Sequence, residues 1–131
     1  MVTKELLQEI KDAAYAVRKA LLPGYLECVY RNALVYELQS RGLNAKAEVP
    51  IKAYYRGVVV GDYRANILVE DEVILELKAC SELNAEHEKQ LVNYLKVTGL
   101  ECGFLINYGD QKYRIIFKTR DFDKPHKEYF E

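Results

Sequence analysis

VVVGDYRANILVEDEVILELKA, residues 58–79, contains two runs typical of β-strands, one on each side of the acidic triplet EDE. Residues 58–69 and 73–80 are rich in the β-branched and aliphatic side chains that strands favour. A three-residue hairpin loop at residues 70–72 would pair the two runs antiparallel. The facing pairs are then Val69 with Val73, Ile67 with Leu75, Asn66 with Glu76, and Arg64 beside Lys78.

Glu76 and Lys78 are the two charged residues of the second run, in ILELKA at residues 74–79. Successive side chains of a strand alternate between its faces, so both share one face with Asn66 of the neighbouring strand. On a face covered by sheet and helix an unpaired charge is unfavourable. Two arrangements satisfy these groups. One is a salt bridge, and the other is a hard cation such as Mg²⁺ held by carboxylate oxygens, with the lysine near a reacting water or phosphate.

The rest of the chain alternates between helical and strand-like patterns, which predicts the element order ααβββαββ. Pro50 favours an edge position for the first strand, and Gly42 and Gly99 are expected at helix C-termini. Strict alternation along residues 58–69 predicts that one face carries Tyr63, Ala65, Ile67 and Val69. The predicted helices cover about residues 3–22, residue 26 to Gly42, and residues 84–98, and the predicted strands cover about residues 47–55, 58–69, 73–80, 102–108 and 113–118.

The composition, 131 residues with half of them apolar and a formal net charge of −1, fits one compact domain. We expect the domain to cover residues 1–118 and a polar tail to follow at residues 119–131. No apolar run reaches about 18 residues and acids fall in the first ten positions, so we expect a cytoplasmic protein without a membrane segment. Three cysteines without CxxC spacing favour neither disulfides nor a zinc site. The near-neutral charge argues against coating nucleic acid through bulk charge.

Two helices carry polar residues at positions that look buried. Glu27 begins the second helix after LPG, and Gln90 and Tyr94 share one stripe of the third helix with His87. Each of these residues also has a structural explanation. Glu27 can form an ion pair with Arg31 one turn on. Gln90 and Tyr94 can be a satisfied amide and a ring of the core, and His87 can be structural. The functional alternative brings six residues around one cleft: Glu27, Asn66, Glu76, Lys78, Gln90 and Tyr94.

Three separated stretches carry a resemblance to a known family. GYLECVY at residues 24–30, the stretch at residues 58–79, and EKQLVNYLKVTGLECGFLINYG at residues 88–109 together resemble the GxxExxY family, a small-domain branch of the PD-(D/E)XK nuclease superfamily. The resemblance covers about residues 5–118. It implies an α/β fold with the αβββαβ core of restriction-endonuclease-like proteins, in which helices flank a mixed central sheet.

The resemblance also implies a role for each candidate residue. Asn66, Glu76 and the backbone carbonyl of Leu77 would bind Mg²⁺ or Mn²⁺, and Lys78 would support the attacking water. Glu27, Gln90 and Tyr94 would complete the catalytic site. The implied substrate is nucleic acid, DNA rather than RNA, and a homodimer or partner protein would help so small a domain to hold a polynucleotide.

One position departs from the family pattern. The family normally reads RADLLV where this chain reads RANILV, so Asn66 stands in place of the metal-binding aspartate. An amide oxygen can coordinate Mg²⁺ but brings no charge, and hard cations favour carboxylates. Whether natural or introduced, Asn66 therefore predicts a weakened or inactive nuclease. The alternative is a catalytically inactive module on the same fold that binds nucleic acid or protein.

Overall fold

The computed structural model describes residues 2–120 and confirms the predicted element order ααβββαββ. The predicted tail, residues 119–131, lies outside the described residues apart from Thr119 and Arg120. The elements are α1 (Lys4–Ala20), α2 (Glu27–Ser40), β1 (Ala45–Tyr55), β2 (Val58–Val69), β3 (Val73–Lys78), α3 (Ala85–Thr98), β4 (Cys102–Asn107) and β5 (Arg114–Thr119).

Local signals fix the ends of α1 and α3. At the start of α1, Thr3 Oγ1 accepts a hydrogen bond of 3.1 Å from the Leu6 N–H. A capping box opens α3, because Asn84 Oδ1 accepts from the His87 N–H and His87 Nδ1 accepts from the Asn84 N–H. Gly99 ends α3 in the left-handed conformation, as predicted. None of the helices formed by residues 2–120 is both long and apolar enough to cross a bilayer.

The five strands form one mixed sheet in the order β1-β2-β3-β4-β5. β3 and β4 are parallel, and every other neighbouring pair is antiparallel. The α3 crossover connects the parallel pair, as a parallel connection requires. β1 is an edge strand, which confirms the position predicted from Pro50.

Helices cover both faces of the sheet and enclose two apolar cores. The first core lies against α1 and α2, and the second lies against α3. β3 contributes to both in strict alternation, as predicted, since Val73, Leu75 and Leu77 pack in the first core and Ile74 packs in the second. The second core consists of Ile51, Ala65, Ile74, Leu91, Tyr94, Leu95 and Leu105.

β2 changes faces in the middle of its length. Ile67 and Val69 pack in the first core, whereas Ala65 and Tyr63 pack in the second, so the prediction of one shared face is wrong. The change occurs where Glu48 of β1 adopts a left-handed backbone with φ 53°, between the register pairs Ala47–Ile67 and Val49–Ala65. The left-handed residue interrupts the two-residue alternation of β1, which changes cores at the same level, since Ala45 packs in the first core and Ile51 in the second.

β2 and β3 separate immediately after three paired positions. Ile67–Leu75, Leu68–Ile74 and Val69–Val73 are in register, which confirms the predicted hairpin. The predicted neighbourhood of Arg64 and Lys78 is wrong, because β2 beyond Ile67 pairs only with β1 and Arg64 faces Pro50. The sheet thus opens beside Asn66 and Glu76.

Candidate active site at the opening of the sheet

Asn66 and Glu76 bridge β2 and β3 where their ladder ends. The Asn66 N–H donates to Glu76 Oε1 at 2.9 Å, and the Leu77 N–H donates to Asn66 Oδ1 at 2.9 Å. Each side chain replaces a backbone acceptor, so two amide groups at the opening stay satisfied. The structure therefore brings Asn66, Glu76 and Leu77 together, as the sequence predicts.

Glu76 is a buried carboxyl, with only 3% of its surface exposed. Its pKa is raised to about 7, chiefly because burial disfavours the charged form. The hydrogen bond from Asn66 and the charge of Lys78 oppose the rise, and the charges of Glu27 and Glu48 add to it. Glu76 therefore changes its charge near neutral pH.

Lys78 is half-buried and lies close enough to Glu76 for its charge to lower the Glu76 pKa. No ion pair joins Lys78 to a carboxylate of residues 2–120, so a salt bridge from Lys78 to Glu76 or Glu27 is not observed. The Lys78 ammonium is thus available to a ligand.

Asn107, which was not predicted from the sequence as a site residue, fixes the chain that follows Lys78. This fully buried residue donates from Nδ2 to the Cys80 carbonyl at 2.9 Å and accepts at Oδ1 from the Cys80 N–H at 3.2 Å. The next turn packs equally closely, since a Cβ at Gly109 would lie 2.4 Å from the Ala79 carbonyl carbon. An asparagine at the end of an otherwise apolar strand, two residues before a glycine, was the available signal.

Lys78 and Gln90 line one surface pocket of about 480 Å³ at the first turns of α3. Its other lining residues are Glu86, His87 and Lys89. The capping box places His87 there, which agrees with the predicted structural role of this histidine. The pocket brings the lysine of β3 and the glutamine of α3 together, as predicted.

Tyr94 lies one turn beyond Gln90, and its side chain is 5% exposed in the second core. Burial raises the pKa of Tyr94, and the negative charge of Glu76 raises it further, whereas a hydrogen bond with Gln90 lowers it. The Tyr94 hydroxyl is therefore within electrostatic range of the Glu76 carboxyl. Its raised pKa keeps the hydroxyl protonated at neutral pH.

Two acids lie within electrostatic range of Glu76, and the sequence predicted only one of them. Glu27 is half-buried at the first position of α2, and its charge raises the pKa of Glu76. Glu48 has the same effect, and it forms an ion pair of 2.7 Å with Arg31. The suggested pair between Glu27 and Arg31 is therefore not observed. No sequence pattern pointed to Glu48, because its left-handed backbone is unusual for a glutamate.

The side-chain oxygens of Asn66 and Glu76 are the type of ligand that a hard cation binds, but together they carry little negative charge. No hydrogen bond from residues 2–120 reaches the second oxygen of Glu76, and the Asn66 carbonyl oxygen has a second lone pair. Across residues 2–120, no three Asp, Glu, His or Cys side chains group closely enough to hold a metal ion. Glu76 and Asn66 could hold Mg²⁺ or Mn²⁺ with one carboxylate fewer than hard cations favour.

Comparison with known proteins agrees with this fold. A crystal structure of SSO0001 matches with a TM-score of 0.59 and 21% sequence identity, which is a likeness of fold. The match covers 75% of this chain and 52% of that chain, so this chain spans about half the length of that protein. No curated protein matches. The family model of the PD-(D/E)XK nuclease superfamily matches residues 4–118, and the chain therefore belongs to this superfamily.

Proposed function

We propose that this chain is a metal-dependent nuclease-like domain acting on phosphodiester bonds of nucleic acid, with an activity weakened by Asn66. The observation that carries the proposal is the hydrogen-bonded pair of Asn66 and Glu76 at the opening of the sheet. Lys78 lies two residues further on, and no carboxylate of residues 2–120 forms an ion pair with it. Within the superfamily, the three sequence stretches support assignment to the GxxExxY branch.

The proposed chemistry divides the work among neighbouring side chains. Glu76, Asn66 and the Leu77 carbonyl would hold Mg²⁺ or Mn²⁺, which when bound lowers the pKa of water and neutralises phosphate charge. Lys78 donates hydrogen bonds to the nucleophilic water or a phosphate oxygen. Gln90 lines the same pocket and offers its amide to the phosphate.

Glu27 and Tyr94 act at the edge of this arrangement. Negative charge from Glu27 attracts a cation to the Glu76 junction, although it opposes ionisation of Glu76 in the metal-free protein. Tyr94, protonated at neutral pH, can donate a hydrogen bond to the ionised Glu76 carboxylate. The preference for DNA, the cytoplasmic location and the homodimer or partner protein stay predictions.

A second candidate is an inactive module that binds nucleic acid or protein. The observation that favours it is the structural use of Asn66, whose amide oxygen accepts from the Leu77 N–H and so links β2 to β3. This candidate predicts no Glu76-dependent metal binding.

Mn²⁺ binding distinguishes the two candidates. Titration calorimetry of the protein at pH 8 is expected to show weak Mn²⁺ binding that Glu76→Gln abolishes and Glu82→Gln, an exposed control, leaves unchanged. Affinity should fall as the pH drops through about 7, because Glu76 must lose its proton to bind the ion. Absence of binding, or binding that Glu76→Gln does not reduce, would support the inactive module instead.

A further inference from the structure

The β1–β2 hairpin extends as a two-stranded arm beyond the part of β2 that pairs with β3. β2 contacts β3 only over three positions at its C-terminal end, whereas its pairing with β1 continues to Tyr55 and Val58. We call residues 52–64 the arm. Five of its large apolar side chains are exposed: Tyr54 at 63%, Tyr55 at 61%, Val58 at 62%, Val59 at 45% and Val60 at 62%. Exposed apolar side chains grouped in this way indicate a binding surface.

Aromatic rings connect the arm to the candidate active site. Tyr63 lies on the second-core side of β2, with its ring centroid 5.4 Å from that of Tyr94. The Tyr63 ring lies across Gly61, where an added Cβ would be 2.7 Å from it. Gly61 therefore leaves room for this ring, and two further tyrosines, Tyr54 and Tyr55, are exposed nearer the tip of the arm.

The arm is positively charged on a chain that is slightly acidic. It carries Lys52, Arg56 and Arg64 against one acid, Asp62, which gives +2, while the whole chain is −1. No ion pair with residues 2–120 involves these four side chains. The Arg56 guanidinium lies 5.3 Å from the centre of the Tyr55 ring. Arg56 thus places one cation beside an aromatic face at the tip, while Arg64 lies further along β2 and Lys52 lies opposite Asp62 in the β1–β2 register.

We propose that the arm binds single-stranded nucleic acid, with bases stacked on Tyr54 and Tyr55 and phosphates next to Arg56, Lys52 and Arg64. This rests on the proposed function, because it leads an unpaired strand along Tyr63 towards Glu76. Unpaired bases stack on exposed aromatic rings, whereas the bases of a duplex are already stacked. A second copy of the chain is a poorer occupant, since two arms meeting at their tips would bring like charges together.

Binding of about 16-nucleotide fluorescent oligothymidine, oligouridine and a matched duplex, measured by anisotropy in EDTA, tests the proposal. Tyr54→Ala and Tyr55→Ala are each expected to weaken single-strand binding about tenfold. Tyr36→Ala, which changes a tyrosine of α2 that is 74% exposed, should leave it unchanged. Arg56→Ala should reduce the slope of log affinity against log salt by about 0.7. Comparison of thermal midpoints confirms that the variants remain folded.

The binding experiment would overturn the proposal by showing no binding of single strands, equal losses for Tyr36→Ala and the arm variants, or tighter duplex binding that the arm variants lose. Conversion of a dimer to monomers by Tyr54→Ala in sedimentation would assign the arm to self-association instead. Because the binding assay is run in EDTA, it measures binding to the arm independently of the proposed metal-dependent cleavage. Arm-dependent binding with no cleavage under Mn²⁺ by either the protein or Asn66→Asp contradicts the nuclease alone, and cleavage that the arm variants leave intact contradicts the arm alone.

Discussion

Asn66→Asp is expected to raise the affinity of the protein for Mn²⁺ by about 10- to 100-fold at pH 8. The new carboxylate retains the acceptor for the Leu77 N–H and adds a full charge beside Glu76. Two opposite unit charges about 4 Å apart near a protein surface attract each other by about 4 kcal/mol, so a second carboxylate strengthens the binding of a cation. Repulsion between the carboxylates of positions 66 and 76 offsets part of this gain. Titration calorimetry measures the affinity.

The same substitution has an opposite effect on the metal-free protein. Two carboxylates at one buried junction repel each other, so Asn66→Asp should lower the free energy of unfolding by about 1–2 kcal/mol in EDTA. Saturating Mn²⁺ should restore it. Asn93→Asp adds the same charge at a half-buried position of α3. It is expected neither to raise the Mn²⁺ affinity nor to cause a loss of stability that Mn²⁺ restores. Equal Mn²⁺ affinities for the protein and Asn66→Asp would show that position 66 contacts no ion.

The second large effect is a loss of stability as Glu76 ionises. The pKa of Glu76 is about 7 in the folded protein and 4.5 without the surrounding structure, so the folded state retains a proton that the unfolded state has released. The stability from this proton is fully present below pH of about 4.5 and is lost as the pH rises through about 7. Relative to Glu76→Gln, the metal-free protein should lose on the order of 3 kcal/mol across this range.

Urea unfolding at several pH values between about 4.5 and 8 measures this difference. Other titrating groups contribute alike to both proteins, so subtracting the Glu76→Gln curve isolates Glu76. Glu82→Gln, an exposed carboxyl, should follow the unsubstituted protein. Parallel curves for the protein and Glu76→Gln would mean that Glu76 is not held in a desolvated environment. A stability gain for Glu76→Gln at pH 8 would also agree with a functional rather than structural carboxyl.

Much of the fold could be predicted from the sequence by the local rules of secondary structure. Alternation in β3 placed Glu76 and Lys78 correctly, because each side chain of a regular strand has only one face available. The capping residue Asn84 and the stop at Gly99 marked α3, since both satisfy backbone groups at a helix end. The acidic loop at residues 70–72 fixed the register of β2 with β3.

The features of the fold and the candidate site that could not be predicted depend on long-range contacts or on irregular backbone conformations. No sequence signal predicts the left-handed conformation of Glu48. The change of cores along β2, which occurs opposite this residue, could therefore not be predicted either. The ion pair of Glu48 with Arg31 joins two elements 17 positions apart. Asn107 mimics a backbone partner for Cys80, 27 positions away, which only the folded arrangement of β3 and β4 reveals.

Cleavage of labelled nucleic acid by Asn66→Asp is the most direct test of a nuclease site weakened at position 66. The assay uses Mn²⁺ and single- and double-stranded DNA and RNA, with the protein and Asn66→Asp/Lys78→Ala run in parallel. We predict that Asn66→Asp cuts at least one substrate faster than the protein does and that the double variant does not cut. Failure of both the protein and Asn66→Asp to cut any substrate, with Mn²⁺ bound, would contradict the proposed nuclease function.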